Sequence, residues 1–107
     1  MQDGYTQAFG NFPDSIKNAV KFVVTELNPD QLVLFGSRAR GDHRPDSDFD
    51  FVVVGCRSTA NWSKVSVALA EEPLTLYKID LLRFEELSAE YKAEVEREGV
   101  RVYDKIL

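Results

Sequence analysis

The sequence predicts an α/β fold, a small mixed β-sheet with flanking helices. Three observations carry this. Apolar residues recur at helical spacing in several stretches, short apolar runs of strand length separate them, and turn-forming residues mark the joins. The resulting order is helix, strand, strand, helix, strand, helix, which places helices against a sheet.

Residues 1–12 carry weak signals and read as an N-terminal segment with some flexibility. Residues 13–107 read as a single domain. Ile16, Ala19, Val20, Val23, Val24 and Leu27 form one apolar stripe of a first helix. Pro13 suits its first turn, and Asp14 or Ser15 suits a cap. Asn28-Pro29-Asp30 ends it, because the residue before a proline is pushed out of the helical region. Gln31 to Phe35 reads as a short strand. A polar loop leads to a second strand, Phe49 to Val54, whose continuous apolar run predicts burial on both faces at the sheet centre. Gly55 to Thr59 is a turn. Asn61 to Glu71 is a helix with Trp62, Val65 and Leu69 on one side, broken by Pro73. Leu74 to Leu82 reads as a third strand. Phe84 to Glu98 reads as a charged helix with Leu87, Tyr91 and Val95 inward, stopped by Gly99. Val100 to Tyr103 forms a last short strand or an extended tail.

A chain of 107 residues allows one domain with one core. No apolar run reaches the length of a membrane span. Met1-Gln2-Asp3-Gly4-Tyr5 lacks the basic and apolar regions of a signal peptide, so a cytoplasmic location is expected. Cys56 is the single cysteine, which excludes an intrachain disulfide, and it reads as a small structural residue. His43 is the single histidine and has no partner for a zinc site. The net charge of −5 makes the chain a poor general binder of nucleic acid, whose affinity rests on basic contacts to phosphates. Locally the balance reverses. Arg38, Arg40, His43 and Arg44 fall within seven residues, a cluster able to draw in a polyphosphate.

That cluster lies between two motifs. Gly36-Ser37 closes the first strand, and Asp48-Phe49-Asp50 opens the second, with ten residues between. Side chains at i and i+2 of a strand share a face, so Asp48 and Asp50 aim two carboxylates at one point while Phe49 and Phe51 point away into packing. A hard cation such as Mg2+ binds through one or two carboxylates plus substrate phosphates. Gly36 lets the backbone approach a phosphate closely, and Ser37 adds a hydroxyl and an N–H. A helical turn over Arg38 to Gly41 would aim further N–H groups at the same phosphate. Each part alone is common in ordinary turns and strand ends; the order makes it specific. Asp80 joins them as an isolated acid in a buried-looking strand, where carboxylates are rarely left unpaired. The bland reading of Asp80 is a strand-end acid that faces water or pairs with Lys78.

Gly36-Ser37 followed by Asp48-Phe49-Asp50 resembles the signature of the DNA polymerase β-like nucleotidyltransferase superfamily. The form Gly36-Ser37-Arg38-Ala39-Arg40-Gly41 with Ser47-Asp48-Phe49-Asp50 is similar to that of minimal nucleotidyltransferase (MNT) proteins. The resemblance implies a polymerase β palm-like nucleotidyltransferase fold over most of the chain. It implies a metal site of Asp48, Asp50 and Asp80 with two Mg2+ ions, and catalytic work for the same three residues. It implies ATP as substrate, with Gly36, Ser37, Arg38 and Arg40 at the nucleotide. MNT proteins often pair with a helical HEPN protein, so the expected reaction is transfer of AMP or another NMP to a hydroxyl, foremost a tyrosine of a HEPN toxin, by an antitoxin. The chain has little spare length for an acceptor domain, so the acceptor surface is expected from a second copy or a different protein. Other readings stay open: transfer to a small molecule, a non-catalytic nucleotide-binding module that blocks a partner by contact, and a structural subunit with a vestigial site.

Overall fold

The computed structural model describes residues 3–56, 59–71 and 77–107. Its elements in chain order are α1 (Gln7–Gly10), α2 (Asp14–Leu27), β1 (Gln31–Phe35), α3 (Ser37–Arg40), β2 (Phe49–Val54), α4 (Thr59–Glu71), β3 (Ile79–Arg83), α5 (Ala89–Glu98) and β4 (Val100–Asp104), with a 3-10 turn at Phe84–Glu86.

The apolar stripe of α2 buries Ile16, Ala19, Val20, Val23 and Leu27. Pro13 precedes the helix at φ −56°, and its carbonyl accepts the N–H groups of Ile16 and Lys17. The cap position is Pro13 and not Asp14 or Ser15; Asp14 sits in the first turn, where its charge suits the helix dipole. Asn28 closes the helix in the left-handed region at φ 47°, donating its N–H to Val24 O. Asparagine is one of the few residues that tolerates that conformation.

The strands form one sheet in the order β3-β2-β1-β4. β1 pairs antiparallel with β2 and with β4, and β2 pairs parallel with β3, so the sheet is mixed. β2 lies inside it, as its apolar run requires. Alternation splits its side chains between two cores. Phe49, Phe51 and Val53 pack with α2 and Val65 of α4 on one face, while Val52 meets Val33, Phe35 and Val95 of α5 on the other. Gly4, Tyr5 and Thr6 attach to β4: the Thr6 N–H donates to Val102 O, and Tyr5 bridges to Tyr103. The rings of Tyr5, Phe9 and Phe12 continue from there to Phe49 and Phe51.

Two boundaries differ from expectation. The helix expected over Phe84 to Glu98 is two pieces. Leu87 is extended, and Ser88 caps α5 by accepting the Tyr91 N–H at 3.1 Å. A serine able to satisfy a free N–H restarts the helix there. The third strand runs to Arg83; Leu74, Thr75 and Leu76 of the expected strand lie outside the described residues. The last strand forms and extends through Asp104. No helix among the described residues is long and apolar enough to cross a membrane.

Asp104 is the buried charge that fixes β4. It is 3% exposed and accepts from the Ile106 N–H, Gln31 Nε2 and Arg101 Nη1 at 3.1, 3.0 and 2.8 Å. These bonds, the backbone one foremost, hold its carboxyl below the usual range. A depressed folded pKa gives stability that is present above the unfolded value and lost as pH falls through the folded one. Asp104→Asn should therefore lower the melting temperature at pH 7. Its deficit against the wild type should narrow below pH 3.8, the ordinary value. A constant deficit across that range would contradict the assignment.

Candidate active site

Backbone pairing assembles the site. The parallel register of β2 and β3 sets Phe49 opposite Ile79 and Asp50 opposite Asp80. The Phe49 N–H donates to Lys78 O at 2.9 Å, which extends the pairing one step below both strands. Asp48, Asp50, Lys78 and Asp80 are thus even-numbered neighbours on two adjacent extended segments, and their side chains share one sheet face. Phe49 and Phe51 point the other way, 2% and 1% exposed, as expected.

Carboxylates crowd this face. Burial raises the Asp50 pKa, and the charges of Asp80 and then Asp48 raise it further, as does a hydrogen bond shared with Asp80; the Lys78 ammonium opposes them. Lys78 Nζ lies 4.0 Å from Asp48 Oδ2 and 3.9 Å from Asp80 Oδ1.

Gly36 borders the same group. At φ 80° its backbone is left-handed, and a Cβ there would sit 2.7 Å from Asp50 Oδ2. The residue must be glycine for both reasons. Its carbonyl accepts the N–H groups of Ala39 and Arg40, so α3 begins at Ser37 and leaves its leading N–H groups without intrahelical partners. Gly41 ends the turn at φ 86°.

The basic cluster divides. The Arg38 guanidinium donates to Ser47 O (3.0 and 3.2 Å) and Pro45 O (3.0 Å) and lies 4.1 Å from the Phe49 ring centre. It clamps the loop between the two motifs onto the sheet, and that loop delivers Asp48. Arg40 is on the surface, held by Asp42 at 3.3 Å. His43 is exposed and edges a cavity of about 150 Å³ with Asn11, Phe12, Arg38 and Phe49, on the opposite sheet face from the aspartates. Sequence reasoning missed that Arg38 acts on the loop. The bland reading of Asp80, a pair with Lys78, is present at 3.9 Å, and what the sequence did not suggest is that Lys78 also reaches Asp48.

A divalent metal was expected. Among the described residues, no group of three or more His, Cys, Asp or Glu side chains is drawn together closely enough to hold an ion. The donor set nonetheless fits one. It offers hard oxygens, and the upward push on Asp50 marks a surplus of negative charge that a cation would relieve.

Two outcomes follow. Asp50→Asn should raise the melting temperature of the metal-free protein at pH 7. A raised folded pKa means that stability falls as pH climbs from the ordinary 3.8 through the folded value, so wild type and variant should converge below pH 3.8. An unchanged or lower melting temperature at pH 7 would contradict the carboxylate repulsion. Gly36→Ala should destabilise the chain by about 1–3 kcal/mol in chemical denaturation, from backbone strain and displacement of Asp50.

Known proteins share this fold. The family model described as Polymerase beta, Nucleotidyltransferase matches residues 17–106. No curated protein sequence matches significantly. Among solved structures, a toxin-antitoxin with AMP-PNP aligns with a TM-score of 0.60 at 19% identity, over 82% of this chain and 73% of that one. A minimal nucleotidyltransferase aligns at 0.61 and 24%, over 78% and 85%. The toxin-antitoxin MntA-HpeT aligns at 0.56 and 18%, over 85% and 71%. At these identities the structural likeness speaks for the fold. With the family match over most of its length, the chain belongs to the polymerase β nucleotidyltransferase family.

Proposed function

We propose that this chain is a Mg2+-dependent nucleotidyltransferase that moves AMP, or another NMP, from an NTP to a hydroxyl. The proposed acceptor is a tyrosine of a helical HEPN-type toxin, which makes the chain an antitoxin. The observation that carries the chemistry is Asp50 set opposite Asp80 in the parallel register and against Gly36, with the charge of Asp48 close enough to act on Asp50. The partner assignment is supported by likeness to two toxin-antitoxin structures, one of them with AMP-PNP.

In this reading Asp48, Asp50 and Asp80 hold the metal. When bound, Mg2+ supplies charge neutralisation at the phosphates and lowers the pKa of the acceptor hydroxyl. The chain's own groups do the remaining work. The Ser37 hydroxyl and the leading N–H groups of α3 receive the β- and γ-phosphates, and Gly36 leaves room for them. Arg40, its side chain 45% exposed and paired with the exposed Asp42, turns toward the departing pyrophosphate. Arg38 keeps the loop and therefore Asp48 in place. The acceptor oxygen attacks the α-phosphorus in line. The bond to the bridging oxygen breaks, pyrophosphate leaves with that electron pair, and the hydroxyl proton passes to Asp80.

Incubation with Mg2+, ATP labelled at the α-phosphate and a candidate HEPN partner tests this. Label should appear on a partner tyrosine. Asp48→Asn should reduce it by about 10²–10³-fold with the melting transition retained. Tight partner binding with no label in either protein would replace the enzyme reading with blockade by contact.

A further inference from the structure

The charged face described above has four corners, and only three are acidic. Asp48 and Asp50 lie along one segment, Lys78 and Asp80 along its parallel neighbour. The register sets Asp50 beside Asp80 and, one step down, Asp48 beside Lys78. The Lys78 ammonium reaches both outer carboxylates, at 4.0 Å and 3.9 Å. Both distances are too long for hydrogen bonds, so the contact is one of charge and does not lock the side chain in one pose. The Lys78 side chain is 69% exposed, so solvent is open for its ammonium to move into. Exposed pairs of this kind are weak. The backbone beneath it is fixed, because Lys78 O accepts the Phe49 N–H. Changing the side chain leaves that bond intact.

From this geometry we propose that Lys78 is a built-in counter-cation: it occupies the charge position between Asp48 and Asp80 in the metal-free protein, and a divalent cation must displace it. The proposal rests on the metal-dependent reading above. Its consequence is twofold. Lys78 keeps three carboxylates assembled when no metal is present, and it opposes metal entry, so that the site fills only when the competing charge is high enough. Once displaced, its flexible stem leaves a positive charge beside the reacting phosphates. Lys78 is a positioning residue in this account and touches carboxylates, not reacting atoms.

The test uses Mn2+ alone with the full chain, following free Mn2+ by electron paramagnetic resonance. Lys78→Gln should bind Mn2+ about 5–10-fold more tightly than the wild type, as expected for removing one charge near 4 Å in a solvent-exposed site. The gain should shrink as salt is raised. Lys78→Arg should restore wild-type affinity, which a merely structural change at this position would not do. The metal-free Lys78→Gln protein should also melt below the wild type. Equal or weaker Mn2+ binding by Lys78→Gln, with measurable binding throughout, overturns the role of Lys78 alone. Absence of Mn2+ binding in wild type and both variants overturns the metal-dependent reading and this proposal with it.

Discussion

Parallel pairing of β2 with β3 is the constraint on which the site depends. A shift of one residue would send Asp80 to the opposite face and leave Asp48 and Asp50 without their neighbour. The pairing is enforced by packing. Phe49, Phe51 and Val53 fill one core while Val52 fills the other, so β2 cannot slip without burying charge and exposing aromatic rings. Asp50 is thereby held among like charges in a partly desolvated place. The hydrophobic core supplies the order, and the repulsion among the carboxylates is a strain that the proposed cation would relieve.

The loop between the motifs is organised by the same logic. Ten residues, most of them polar, would wander unless held. Arg38 draws the loop back through the carbonyls of Pro45 and Ser47, and its guanidinium stacks on Phe49, itself a core residue of β2. A residue that looked like a phosphate ligand in the sequence therefore links the core to the carboxylate. Gly36 supplies the other side of the site, where the absence of a Cβ makes room for Asp50.

Much of this was legible in the sequence because local patterns carried it. The stripe of α2, the continuous apolar run of β2 and the i, i+2 aspartates each specify their own geometry. Asp80 was read by its chemical context, and the register places it beside Asp50. What escaped reading depended on tertiary contacts or on competition between local signals. Ser88 outcompeted the periodicity that ran from Phe84, since a satisfied cap fixes a helix start more firmly than an apolar repeat. The commitment of Arg38 to two carbonyls needed the loop's path. The pairing of Lys78 with Asp80 was already open in the sequence, but its reach to Asp48 needed the parallel register.

The most direct measurement is anomalous diffraction from crystals grown with Mn2+ and a non-hydrolysable ATP analogue. The account predicts a manganese peak within ligation distance of the Asp48, Asp50 and Asp80 carboxylates, with the triphosphate against Gly36 and Ser37 and Lys78 turned away. Nucleotide bound elsewhere, or those carboxylates still paired with Lys78 and free of manganese, would contradict it.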